Sequence, residues 1–139
     1  MNNKRHNFEK WNIGDSAELK HLIKEKDLDD FAELTKDYNP LHMDEDYAAN
    51  THFGERVVHG MLSASFISTI IGTKIPGNGS LWLSQTLNFI APARIGDEIS
   101  IIALVKSKSE SLKVISLDIE IKNQYGAKLI TGEAKVKVV

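Results

Sequence analysis

The sequence predicts an α+β fold in which a mostly antiparallel sheet packs against one long buried helix. Residues 57–71 are apolar on nearly every side, which is typical of a helix enclosed by a core. From residue 80 onward, apolar and polar residues alternate in several segments, as they do in strands with one wet face. Short turns join these segments and leave no room for crossover helices, so neighbouring strands are expected to run antiparallel.

The composition is that of one globular domain spanning residues 1–139. Hydrophobic residues make up 42% of the chain and charged residues 26%, a balance that supports a core and argues against disorder. The formal net charge of -2 provides no general field for binding nucleic acid. The absence of cysteine excludes disulfides, thiol nucleophiles and cysteine-ligated metal clusters.

No segment predicts a membrane span or a signal peptide. Residues 1–11 are polar and charged, and a histidine and several serines interrupt the apolar segment 57–71. That segment is also shorter than the about 18 apolar residues that a membrane helix needs. We therefore expect a cytoplasmic protein that has no membrane or nucleic-acid partner.

In the first half of the chain, a strand is predicted over residues 16–23 and a helix over residues 28–36. Asp27 is the expected N-cap of this helix, because its carboxylate can accept hydrogen bonds from the free N–H groups of the first turn. Pro40 should end the helical pattern near Tyr38, because proline disfavours helical geometry in the residue before it.

A second short helix is predicted over residues 45–50, with Asp44 as its N-cap. The long helix should begin at Gly60 and end at Gly72, since glycine often follows the last helical residue. The remaining strands are expected over residues 80–89, 98–106, 117–122 and 130–138.

The densest polar cluster is residues 37–42, Asp-Tyr-Asn-Pro-Leu-His. Asp37 and His42 carry a carboxylate and an imidazole, which are common proton-transfer groups in enzymes. A chain that folds back at Pro40 can point both groups at one water molecule. The spacing alone favours a plainer interpretation, in which Asp37 caps a turn and His42 lies on the surface.

Gly60 stands where the buried helix should begin. The first N–H groups of a helix have no partner within it, and the helix dipole favours negative charge there. Such a point can stabilise an oxygen that becomes enolate-like on a thioester, and glycine allows the ligand to approach closely. The alternative, a glycine needed for helix entry or close packing, stands equally well.

Three serines lie on the same apolar helix, at positions 63, 65 and 68. Serines on helices commonly bond back to helix carbonyls. In the functional interpretation, one of the three faces a polar pocket and orients a catalytic group. No G-x-S-x-G pattern surrounds any of them, so a serine nucleophile is not favoured. A metal site is not expected either. The spacing between His42, His52 and His59 in the chain fits no established zinc pattern.

Residues 37–42, followed by Val-His-Gly-Met-Leu at 58–62, resemble the signature of MaoC-like (R)-specific enoyl-CoA hydratases. The Asp-x-Asn-Pro-x-His element is the most specific part, and the resemblance covers nearly the whole chain from Trp11 onward. It implies a hotdog fold, in which an antiparallel sheet wraps around one long central helix. It also implies a homodimer in which two such sheets join.

The resemblance implies reversible hydration of trans-2-enoyl-CoA to (R)-3-hydroxyacyl-CoA in fatty acid metabolism, with no metal or other cofactor. Asp37 and His42 would hold the water, with Asp37 taking its proton and His42 helping to deliver one to the α-carbon. The Gly60 N–H would bond the thioester oxygen, and the Ser68 hydroxyl would support the pair. Asn39 would belong to the substrate-binding loop, which it shapes without taking part in proton transfer.

The resemblance also suggests that Ile70 and Ile71 border the acyl tunnel. Two other functions remain open for this sequence: an acyl-CoA thioesterase on the same fold, and a non-catalytic acyl-binding module. The Asp-x-Asn-Pro-x-His element favours hydration over thioester hydrolysis. Binding alone would require neither Asp37 nor His42.

Overall fold

The computed structural model describes residues 7–139. Residues 1–6, the first residues of the predicted 1–139 domain, lie outside the described residues. They make up most of the polar N-terminal stretch. No helix in the described part of the chain is both long and apolar enough to cross a membrane.

The described strands form one antiparallel sheet of six strands. Its order is β1-β4-β5-β6-β2, and the short β3 pairs with β6 beside β2. The strands are β1 Ser16–Leu22, β2 Ser80–Gln85, β3 Asn88–Phe89, β4 Glu98–Ser109, β5 Val114–Lys122 and β6 Lys128–Val138. The antiparallel arrangement is confirmed, and four of the five predicted strands are present with shifted ends. The strand predicted over residues 80–89 is instead divided into β2 and β3, which both pair with β6.

The long central helix packs on the dry face of this sheet. Its apolar side chains join those of β4, β5 and β6 in one core cluster. The helices are α1 Asn7–Lys10, α2 Glu25–Thr35, α3 Pro40–Met43, α4 Glu45–Ala49 and α5 Gly60–Thr73. This is the hotdog arrangement that the sequence predicts. Ile70 and Ile71 are buried in the core, and neither lines the two cavities described below, so their place beside an acyl tunnel stays a prediction.

The predicted beginning of α2 is wrong by three residues. The helix begins at Glu25 and its N-cap is Lys24, so Asp27 occupies the third helical position. From there the Asp27 carboxylate accepts the Lys24 N–H at 3.0 Å and contacts the ring of His21 at 2.8 Å. An acidic residue at the third helical position accepts the N–H of the N-cap residue, as Asp27 does here, so the acidic signal marks the first turn of the helix and not its N-cap.

The predicted end of α5 is also displaced. The helix continues through Gly72 to Thr73, and the Lys74 N–H still bonds the Ile70 carbonyl at 3.0 Å. Gly72 does not adopt a positive φ and therefore does not serve as a left-handed cap. The other end agrees with the sequence, because α5 begins at Gly60 as predicted. The same holds for α4, where the Asp44 carboxylate caps the helix by accepting the Tyr47 N–H.

Candidate active site

Asp37 lies just beyond the end of α2, where the chain changes direction. Lys36 adopts a left-handed conformation with φ of 65°, which ends the helix. The Asp37 carboxylate accepts the Asn39 N–H at 3.2 Å, and the side chain is exposed. Asp37 therefore caps the turn, as the plainer interpretation expects, and also lines the cavity described below.

His42 lies on α3, a one-turn helix at the point where the sequence predicts that the chain folds back. Pro40 is its first residue, and the Asn39 side chain caps it by accepting the Leu41 N–H at 3.1 Å. The His42 Nδ1 lies 2.8 Å from the carbonyl oxygen of Val57. A carbonyl accepts but does not donate, so Nδ1 carries a proton, and Nε2 is the ring nitrogen left to exchange a proton with a ligand.

Arg56 holds the backbone of His42 in place. Its side chain is 5% exposed, and its Nε donates to the His42 carbonyl oxygen at 2.6 Å. The Nη1 atom of the same guanidinium lies 3.0 Å from the Glu25 carboxylate and 3.5 Å from the Glu45 carboxylate. Arg56 thus connects the helix of His42 to α2 and α4. Sequence reasoning missed this residue, although a cation beside an apolar segment needs polar partners if the fold buries it.

His59, the residue before α5, packs behind both predicted catalytic residues. It is 2% exposed, and its Nε2 lies 3.1 Å from the Asp37 carbonyl oxygen. Its ring centroid lies 4.2 Å from that of His42 and 4.8 Å from that of Phe31. Burial lowers the pKa of His59 below its ordinary value of 6.5, so the ring is neutral at pH 7. From the sequence, His59 belongs to the Val-His-Gly-Met-Leu element and was weighed as a metal ligand, but no role beside Asp37 and His42 was predicted for it.

A cavity of about 670 Å³ brings Asp37, His42 and Gly60 together. Its polar groups lie among apolar side chains, as in many small-molecule sites. The lining residues are Phe31, Thr35, Asp37, His42, His59, Gly60, Met61, Ser65 and Phe89. Among the described residues, no acceptor bonds the backbone N–H of Gly60 or Met61, so these helix N-terminal donors are available to a ligand oxygen.

The structure does not bring Ser68 or Asn39 into this cavity. Ser68 is exposed on α5, about 12 Å along the helix axis from Gly60. Neither residue lines the cavity, and Asn39 acts as the cap of α3. Ser65 lines the cavity instead, and its hydroxyl bonds back to the Leu62 carbonyl at 2.6 Å. The role expected for Ser68 stays a prediction.

A second cavity, of about 430 Å³, adjoins the first and shares Gly60 and Phe89 with it. Its walls are apolar except for the buried Ser63, and they include Val58, Ala93 and Ile130. A ligand with its polar group at Gly60 would therefore have apolar walls on two sides of that point.

One group of possible metal ligands exists among the described residues. Asp37, His42 and His59 each offer one ligand atom, and these atoms all lie within 4.8 Å of one another. His52, which the sequence analysis had considered with the other two histidines, is exposed and packs against the ring of Phe53. A carboxylate and an imidazole are equally suited to holding and moving a proton, and Asp37 and His42 supply these two groups in the cavity.

Comparisons with known proteins agree with the fold and the predicted family. The family model described as MaoC like domain matches residues 11–124. An (R)-specific enoyl-CoA hydratase from Rhodospirillum rubrum is 42% identical over 133 residues, which cover 96% of this chain and 92% of that protein. An (R)-specific enoyl-CoA hydratase from Aeromonas caviae is 40% identical over 126 residues, which cover 91% of this chain and 94% of that protein.

The solved structure of the (R)-hydratase from Aeromonas caviae involved in PHA biosynthesis has the same fold. Its TM-score is 0.90 at 39% identity, with 93% of this chain and 98% of that chain covered. This agreement confirms the predicted hotdog fold. The chain belongs to the family of proteins with a MaoC like domain.

Proposed function

We propose that this protein is an (R)-specific enoyl-CoA hydratase, which reversibly adds water to trans-2-enoyl-CoA to form (R)-3-hydroxyacyl-CoA in fatty acid metabolism. One observation carries the proposal: Asp37 and His42 line the same cavity as the unpartnered N–H of Gly60. The relatives named as hydratases support the choice of substrate. The proposed reaction requires no metal or other cofactor.

In this mechanism, water lies between the Asp37 carboxylate and the free Nε2 of His42. Asp37 takes a proton as the hydroxyl bonds to the β-carbon, and the electron pair of the double bond moves toward the thioester oxygen. The N–H groups at the beginning of α5 stabilise that oxygen, because the helix dipole favours negative charge there. Asp37 then passes this proton to Nε2 of His42, and His42 delivers it to the α-carbon as the electron pair returns from the thioester oxygen, so that one water is added in total.

A substrate panel tests the proposal directly. Purified protein should remove the enoyl absorbance of at least one trans-2-enoyl-CoA between four and twelve carbons, and chiral chromatography should identify an (R)-3-hydroxyacyl product. A thiol reagent in the same reaction should detect no free CoA, because hydration leaves the thioester intact. Release of CoA without loss of the enoyl group would instead favour the thioesterase, and no reaction with any chain length would favour the binding module.

The open edge of the sheet supports a homodimer. Among residues 7–139, β2 pairs only with β6, and its other edge is unpaired. Leu81 and Leu83 are each 51% exposed on this strand, and Trp82 between them is 40% exposed. An apolar, unpaired edge strand is a place for another strand to add, and a second copy can satisfy both edges at once.

Solution mass and one pair of variants test the dimer. Light scattering should give twice the 15.5 kDa mass of one chain. Leu83→Lys should shift the mass toward one chain, because a charge on an edge strand opposes pairing. Leu112→Lys is the matched control, since Leu112 is also exposed but lies between β4 and β5. A wild-type mass of one chain would contradict the dimer.

A further inference from the structure

His59 contacts the supports of both proposed catalytic residues. Its Nε2 lies 3.1 Å from the Asp37 carbonyl oxygen, and its ring lies against the ring of His42, 4.2 Å between centroids. The side chain is 2% exposed, so these contacts are shielded from bulk water. His59 is the N-cap residue of α5, yet its side chain makes no capping hydrogen bond to the helix. Its ring is therefore available for the contacts with Asp37 and His42.

The hydrogen-bond pattern fixes the state of this ring. The Asp37 carbonyl can only accept, so Nε2 must carry the proton. Nδ1 is buried and has no hydrogen-bond partner among the described residues. A second proton there would be buried without an acceptor, and the charge of Arg56 would oppose it, against the attraction of Asp37. His59 is therefore a neutral ring with one N–H to donate.

The Asp37 segment needs such a support. Residues 36–39 lie between two helices and belong to neither, and the Asp37 side chain is exposed. Catalysis requires its carboxylate and the His42 ring to meet at one water, and a misplacement of about 1 Å can reduce the rate about 100-fold.

We propose that His59 is a positioning residue of the hydratase: its Nε2–H holds the Asp37 backbone while its ring supports one face of His42. This inference rests on the proposed function. His59 does not touch the reacting atoms in this scheme. It acts by joining the two residues that do.

A matched set of three variants separates the hydrogen bond from the ring contact. The amide nitrogen of His59→Gln lies at the same distance along the side chain as Nε2 and can still donate to Asp37. The amide of His59→Asn is one bond shorter and cannot reach that far. His59→Phe keeps a ring against His42 but has no N–H.

We expect a split between kcat and KM. The kcat of His59→Asn and His59→Phe should fall about 100-fold, with KM changed less than about threefold, while His59→Gln should stay within about tenfold of wild type. Thermal unfolding identifies any variant that fails to fold, and the remaining variants then decide the outcome. The proposal is overturned if folded Asn or Phe variants keep kcat within about threefold, or if Gln and Asn lose the same amount.

Nitrogen-15 NMR of the imidazole rings gives a reading that is independent of rate. Wild-type His59 should be a neutral Nε2–H tautomer at pH 7, and an Nδ1–H or doubly protonated ring would overturn the proposal. Wild-type protein that hydrates no enoyl-CoA would reject the proposed function itself. Active wild-type protein with unaffected His59 variants would reject only the positioning role.

Discussion

The two sides of the proposed site are built differently. Gly60 begins a long helix whose apolar side chains are part of the core, so its N–H is held by the fold itself. Asp37 and His42 instead lie on a short connecting segment, and remote side chains hold it: Arg56 bonds the His42 carbonyl and His59 bonds the Asp37 carbonyl. The oxygen-binding side is therefore rigid by its position, whereas the proton-transfer side depends on single buried polar contacts.

The largest effect should come from the proton-transfer groups themselves. Asp37→Asn and His42→Gln should each lower kcat for enoyl-CoA hydration by about 10²- to 10⁴-fold, because each removes one acid–base group. Stability should change little in Asp37→Asn, since this side chain is exposed. Spectrophotometric rates and thermal unfolding measure the two effects. His52→Gln is the control, because His52 is exposed and lines neither cavity. Near-normal hydration by folded Asp37→Asn would contradict the assignment.

Removal of the buried guanidinium should affect both stability and rate. Arg56→Met leaves the His42 carbonyl without its donor at 2.6 Å, and should cost about 1–3 kcal/mol in the free energy of unfolding. The two glutamates contribute little to this value, because they are exposed and solvent screens them. Activity should fall further than the loss of folded protein explains, since the helix of His42 is released.

A matched arginine sharpens this result. Arg94 also pairs with a glutamate and donates to a backbone carbonyl, but it contacts Phe53 and Glu55 and not His42. Arg94→Met should therefore destabilise without a specific loss of kcat. Urea denaturation and steady-state rates measured on both variants make the comparison. Equal kcat values in the two variants would show that Arg56 does not act through His42.

The rigid side can be tested by adding a methyl group. A Cβ at Gly60 would lie 2.8 Å from Cε1 of Phe89, so the exposed Phe89 ring would have to move within both cavities. Gly60→Ala should lower kcat/KM roughly tenfold, because the displaced Phe89 ring would change the position of the substrate oxygen relative to the N–H of residue 60. The control is Gly72→Ala on the same helix, where a Cβ meets nothing within 4 Å. Unchanged kcat/KM in Gly60→Ala would argue against a close approach of substrate here.

The same division explains what the sequence could predict. The strands follow from local periodicity and α5 from its nearly continuous apolar character, and Asp37, His42 and Gly60 belong to two recognisable sequence elements. Arg56 and His59 were missed because their partners lie 14 and 22 residues away in the chain. Which serine of α5 faces the cavity depends on how the helix is rotated against the sheet, and this rotation is a property of the packed core.

The smallest effect concerns pH and the protonation of His59. Its pKa in the folded protein lies below 6.5, because burial disfavours the charged ring. The unfolded chain therefore binds more protons below pH 6.5, and stability is lost as the pH falls from about 6.5 toward the lowered folded value. The loss is at most about 1.4 kcal/mol per pH unit. Urea midpoints at pH 7.5, 6.5 and 5.5 should decline more steeply in wild type than in His59→Gln, which cannot titrate there. Parallel declines would mean that His59 takes up its proton over the same pH range in the folded and the unfolded chain, so that burial does not lower its pKa.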